Sequence, residues 1–225
     1  MRMEHTIEAI SEWLKIDPSI QLVICDGSGF DYTDTVKIKF PSAKIECISF
    51  FNDAEQVKIH GKGYGEGEII RYALEHSQVL NESDVFMKCT AKLWLTNLNA
   101  CLAQWNGRFV CGAYFADVFS LKKTKLMFVD TRFYISRKEA YKRFFLNAHK
   151  DLGNTPGWSI EDEFLKIIQW EQLKGIFFAA PPIISGVGGG SGRYYRNGMV
   201  RVLKDRLRAY IASRYSRYTD LFIGG

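Results

Sequence analysis

The chain has 225 residues, 47% of them hydrophobic and 24% charged, an ordinary globular usage that excludes collagen-like, mucin-like and wholly disordered chains. Lysine and arginine outnumber aspartate and glutamate by 30 to 25, and the resulting +5 permits contact with phosphates or anionic lipid without requiring it. Five scattered cysteines with no CxxC pair argue against a zinc framework and fit buried thiols in a reducing compartment.

In chain order, residues 6–16 predict a helix with Ile7, Ile10 and Leu14 on one face, ended by Asp17-Pro18. This N-terminus lacks the apolar core of a signal sequence, and no stretch reaches the ~20 apolar residues of a membrane span, so the expected location is the cytoplasm. The run QLVIC at 21–25 reads as a strand covered on both faces, stopping at Asp26-Gly27-Ser28-Gly29. A second strand is expected at 44–50, then a polar loop over 52–64, then an amphipathic helix over 65–80. Residues 84–95 alternate apolar and polar as one central strand. Strands follow at 108–115 and 125–129, the latter ending at Asp130-Thr131-Arg132. Helices are expected at 136–149 and 160–172, the second capped by Ser159, and a strand at 176–179. A glycine-rich stretch at 185–192 leads to a long basic helix over 199–215. This order predicts an α/β fold with a mixed sheet flanked by helices.

Several constellations could carry chemistry. Asp26-Gly27-Ser28-Gly29 is either a plain turn or an acid at a strand end that accepts hydrogen bonds from a nucleoside. Gly61-Lys62-Gly63-Tyr64-Gly65-Glu66-Gly67 matches neither the Walker nor the GxGxxG register; it reads as a flexible turn or as a loop whose amides cradle phosphate, with Lys62 adding a charge. Lys88 and Lys92 would share one strand face with Thr90, at an edge or facing a polar cleft. Arg132 could pair with a diphosphate or with Asp130. Glu161-Asp162-Glu163 opens a helix, where it either complements the helix dipole or supplies a general base. The 185–192 stretch is a hinge or a phosphate nest. Beyond Ser191 there are eight basic residues and only Asp205 and Asp220, so the first 190 residues net to −1. Interleaved tyrosines make that basic tail suited to an anionic lipid surface or a nucleic-acid backbone, a solvated helix face being the alternative.

The ordered set VICDGSGFD, GKGYGEGEIIRYAL, SDVFMKCTAKLWLTNL, FVDTRFY, SIEDEF and ISGVGGGSGRYY resembles bacterial surface-polysaccharide glycosyltransferases of the capsule and O-antigen type, over about residues 21–195. The resemblance implies a GT-A-like, Rossmann-like catalytic domain over 1–190 and a basic helical extension over 191–225. It implies a nucleotide-sugar donor, UDP-sugar being favoured, held by Asp26, Lys62, Gly63, Gly65, Glu66, Asp84, Lys88, Asp130 and Arg132. Asp162, with Glu161 and Glu163 beside it, becomes the base that deprotonates a glycan or lipid-linked acceptor. Such enzymes use Mn2+ or Mg2+ through a DxD motif. Here Asp84-Val85-Phe86 keeps one acid, which leaves metal use open and lets cationic side chains take that role. Lys88-Cys89-Thr90-Ala91-Lys92 stands where related patterns carry Lys-x-Thr-Gly-Arg, keeping the charge without the arginine fork. The family's fold opens on a strand, whereas this chain starts almost at a helix, so the first strand is expected to be missing. The expected setting is the inner face of the plasma membrane. A sugar nucleotidyltransferase and a basic nucleic-acid-binding module are the alternatives, the latter leaving the glycine run and the acidic cluster unexplained, so that no nucleic acid is expected as partner.

Overall fold

Alternating local patterns translate into an α/β order: α1 (Arg2–Ile16), β1 (Leu22–Asp26), α2 (Thr33–Lys39), β2 (Ile45–Ser49), α3 (Ala54–His60), α4 (Lys62–His76), α5 (Gln78–Asn81), β3 (Val85–Cys89), β4 (Leu93–Leu95), α6 (Leu98–Leu102), β5 (Phe109–Ala116), β6 (Lys125–Arg137), α7 (Lys138–Phe144), α8 (Ile160–Trp170), β7 (Ile184–Val187), β8 (Tyr194–Tyr195) and α9 (Met199–Tyr215). This is a computed structural model, and it describes residues 2–120, 123–152, 157–188, 192–195 and 197–224. The chain forms two compact units. Unit one comprises Met1–Ile16, Met87–Ser136 and Ile168–Gly225; unit two comprises Asp17–Phe86 and Arg137–Ile167. Residues 192–195 and 197–224, expected to form a separate extension, thus share a unit with α1, β5 and β6.

Among the described residues the expected mixed sheet resolves into three small open sheets, ordered β1-β2, β3-β6-β5 and β4-β7-β8. In unit two, β1 and β2 pair in parallel from Leu22 opposite Ile45 to Asp26 opposite Ser49, and α2 makes the crossover that a parallel pair requires. The polar stretch after β2 holds α3, whose N-terminus is capped by the Asp53 carboxylate accepting from Glu55 N and Gln56 N. Glu46 of β2 does the same for α5, accepting from Ser77 Oγ, Gln78 N (2.8 Å) and Val79 N (3.2 Å). Phe145 and Phe164 stack at 4.4 Å in the core of this unit, with Leu74, Tyr141 and Leu152 also buried.

In unit one, α1 buries Ala9, Ile10 and Trp13, and the Trp13 indole donates to Leu93 O of β4 at 3.0 Å. Phe109, Phe115, Phe133, Tyr134 and Phe177 fill the core around β5 and β6, each buried aromatic side chain contributing about 2–3 kcal/mol by area.

Several expectations are corrected here. The strand over 84–95 breaks: Leu93 N bonds Thr90 O at 3.1 Å and Lys92 takes φ 70°, a turn that sends β4 to pair with β7 instead. Lys88 and Lys92 therefore do not share a strand face. The strand over 125–129 does not end at Asp130 but runs to Arg137, and the helix expected over 136–149 starts at Lys138. Between the pairs Cys111 with Tyr134 and Gly112 with Asp130, β6 bulges out through Thr131, Arg132 and Phe133. The segment 176–179 makes only isolated bridges, Phe177 to Cys111 and to Phe222. The glycine-rich 185–192 stretch contributes β7 at its start, while residues 189–191 lie outside the described residues.

Candidate functional site

The Gly61 to Gly67 run is not a loop. Gly61, at φ 83°, ends α3 and turns the chain into α4, which begins at Lys62 and contains the other three glycines. Each of these is small because something lies against it. A Cβ on Gly63 would stand 3.0 Å from both Ile160 Cβ and Leu152 Cδ1; one on Gly65 would stand 3.2 Å from Asn52 Nδ2 and Val57 Cγ2; one on Gly67 would fall inside the His149 side chain. Residues two apart on a helix lie on opposite sides, so the alternation lets α4 be approached closely on two faces at once. One face meets Asn52 and Val57, the other His149, Leu152 and Ile160.

This packing assembles a polar edge at the carboxyl ends of β1 and β2, where open α/β sheets hold ligands. Asp26, 4% exposed, ends β1, and its Oδ1 accepts from Ser28 N (2.7 Å), Ser28 Oγ (2.5 Å) and Phe30 N (3.4 Å). The carboxylate thus shapes the turn, the plain one of the two readings of that motif. Phe51 covers Gly29, at φ 77°, and is itself 84% exposed. Asn52 joins this edge to α4, its N bonding Gly27 O at 2.8 Å and its Nδ2 donating to Gly65 O at 3.0 Å.

The first turn of α4 is unlike those of α3 and α8. Gly61 offers no side-chain cap, the turn holds no acid, and Lys62 is exposed there. No side chain of this first turn complements its positive pole. At α8 the opposite holds. Ser159 and Asp162 form a reciprocal capping box: Ser159 N and Oγ donate to Asp162 Oδ2 at 2.9 and 2.6 Å, and Asp162 N donates to Ser159 Oγ at 3.3 Å. Glu163 is 2% exposed and accepts from Trp158 Nε1 (3.0 Å) and Lys166 Nζ (2.8 Å). Glu161 is half-buried. Asp84 is exposed and lends its carbonyl to Lys138 N at 2.8 Å; Glu66 is half-buried on α4.

Three predicted residues belong to the bulge of unit one. Lys88, buried, donates to Thr131 O (2.6 Å) and Thr90 Oγ1 (3.0 Å), and Thr90 N bonds Arg132 O at 2.9 Å. These bonds satisfy carbonyls that the bulge withdraws from the β5 ladder. Arg132 grips Asp130 through Nε to Oδ1 (2.8 Å) and Nη2 to Oδ2 (2.6 Å), with its guanidinium 5.2 Å from the Tyr195 ring centroid. Burial opposes the charge on Arg132, and Asp130 more than offsets it, raising the guanidinium further.

Sequence reasoning did not single out Asn52, Phe51 or His149. They gain meaning only from neighbours far along the chain, and no local signal marks them. Among the described residues no three His, Cys, Asp or Glu side chains are grouped to hold a metal ion. Nor is any described helix long and apolar enough to cross a membrane. No family model, no curated protein and no solved structure matches the chain.

Proposed function

We propose that the chain is a glycosyltransferase with a GT-A-like catalytic core, moving a sugar from a nucleoside diphosphate-sugar donor to a surface glycan or lipid-linked acceptor at the cytoplasmic side of the membrane. The observation that carries this reading is the start of α4: uncapped amides and the exposed Lys62 form an anion-receiving end, tied through Asn52 to the turn that Asp26 holds. The motif order of the sequence supports it independently.

In this reading the diphosphate lies at the α4 N-terminus, where the helix pole and Lys62 stabilise the charge that develops on the leaving group. Asp26 acts as a positioning residue: it fixes the turn, and the exposed Phe51 ring beside Gly29 offers a stacking face to the base. Asp162 removes the proton from an acceptor hydroxyl. The freed oxygen attacks the anomeric carbon in a direct displacement, and the bond from that carbon to the phosphate oxygen breaks with its electron pair going to the diphosphate. Asp162 suits the role because Ser159 binds Oδ2 and so orients the carboxylate without engaging Oδ1 in that pair. Glu163, already bonded to Trp158 and Lys166, and the neighbouring Glu161 complete the acidic turn.

A panel of UDP-, GDP- and CDP-sugars tests the reading by thermal shift and by assay of the free nucleoside diphosphate. A stabilising shift with at least one donor, weakened in Lys62→Ala, is expected. No shift with any of them overturns it, and release of pyrophosphate when a nucleoside triphosphate and a sugar 1-phosphate are supplied instead would mark a nucleotidyltransferase.

A further inference from the structure

The two sides of α9 differ in kind. Ala209, Ala212 and Ser213 are buried on one side, and on that flank Asp205 pairs with Arg208 at 3.2 Å while the Arg208 guanidinium lies 5.2 Å from the Tyr114 ring centroid. The other side is apolar and bare. Met199, Leu203, Leu207 and Tyr210 succeed one another at steps of three and four residues, one stripe along a helix, with Met199 89% and Leu203 68% exposed. Lys204, Arg206 and Arg214 are exposed along this stripe, and among the described residues none is paired with a carboxylate.

We infer that this stripe is a docking face for the surface of an anionic lipid bilayer. The apolar side chains enter the headgroup boundary while Lys204, Arg206 and Arg214 meet lipid phosphates. Charge complementarity selects this occupant. The helix carries five basic residues against Asp205 alone, so a second copy laid on the same face brings like charges together. A nucleic acid would answer the charge but leave the apolar stripe in water. The inference stands on α9 by itself and does not rest on the transfer reaction.

Flotation of the full chain with vesicles of phosphatidylcholine, alone or mixed with phosphatidylglycerol, is the test. Partition onto the mixed vesicles should exceed that onto phosphatidylcholine by about tenfold or more and fall as salt is added. Leu203→Glu with Leu207→Glu should lose about tenfold in that partition, with circular dichroism and melting temperature unchanged because both side chains are exposed. Lys204→Glu with Arg206→Glu should remove the preference for phosphatidylglycerol. Equal partition onto both vesicle types, or variants that bind as the native chain does, overturns the proposal. So does sedimentation as a dimer that Leu203→Glu dissociates, which would assign the stripe to a second copy.

Discussion

The His149 ring lies directly against Gly67, and its Nε2 stands 2.6 Å from Oε1 of the next residue on the helix, Glu68. The missing side chain at one position is what brings the imidazole within reach of the carboxylate at the next. Arg71 closes on the same carboxylate with Nη2 at 2.6 Å from Oε2. Burial raises the Glu68 carboxyl, but the bonds and charges of Arg71 and His149 outweigh it and hold the group below its usual range.

Gly67→Ala reverses an ordinary rule. In a helix interior alanine is favoured over glycine by about 1 kcal/mol. Here the added methyl overlaps a buried ring, and overpacking of that kind costs about 1–3 kcal/mol. Urea unfolding should show a net loss of stability; a variant as stable as the native chain would refute the contact.

The same pair sets a dependence on pH. Burial lowers the His149 imidazole from its usual 6.5, and the Glu68 hydrogen bond and charge only partly restore it. The unfolded chain therefore takes up this proton more readily than the native one, so the stability present above about pH 6.5 is lost as pH falls through the native value. Glu68 adds its own loss only lower, below its usual 4.5. Unfolding free energy measured at about pH 7.5 and about pH 5.5 should differ, and His149→Gln should reduce the difference. An undiminished difference in that variant would assign it to other groups.

Ser159 and Asp162 separate capping from catalysis. Ser159→Ala should destabilise by about 1 kcal/mol through loss of the cap and slow transfer far less than loss of the Asp162 carboxylate does, because Ser159 N still holds Oδ2. Asp162→Asn retains an oxygen for Ser159 and should abolish transfer with donor binding nearly intact. If Asp162→Asn transfers at the native rate, the base lies elsewhere.

Four of the five cysteines should be inert. None of the five is in a disulfide; burial pushes Cys25 and Cys101 up to about 12 and Cys47 to about 11, and Cys111 well above its ordinary value. Iodoacetamide at neutral pH should label the native chain far more slowly than the urea-unfolded chain, followed by mass spectrometry. Equal labelling would show the thiols to be accessible.

What the sequence determined by itself was whatever depends on neighbours a few residues away. The apolar run before Asp26 makes β1, the periodicity over 160–170 and 199–215 makes α8 and α9, and Ser159 caps α8 as its type and position require. The acid at the end of β1 and the basic excess of the C-terminal segment were legible for the same reason. Tertiary structure decided the rest. The glycine run is helical because Asn52, Leu152, Ile160 and His149 press against it, contacts invisible to any local window. The 84–95 strand breaks because β4 finds its partner in β7, some ninety positions on, and the Asp130 to Arg132 strand end became a bulge whose carbonyls Lys88 and Thr90 satisfy. Periodicity reports which face of an element is buried; only the folded chain specifies against what.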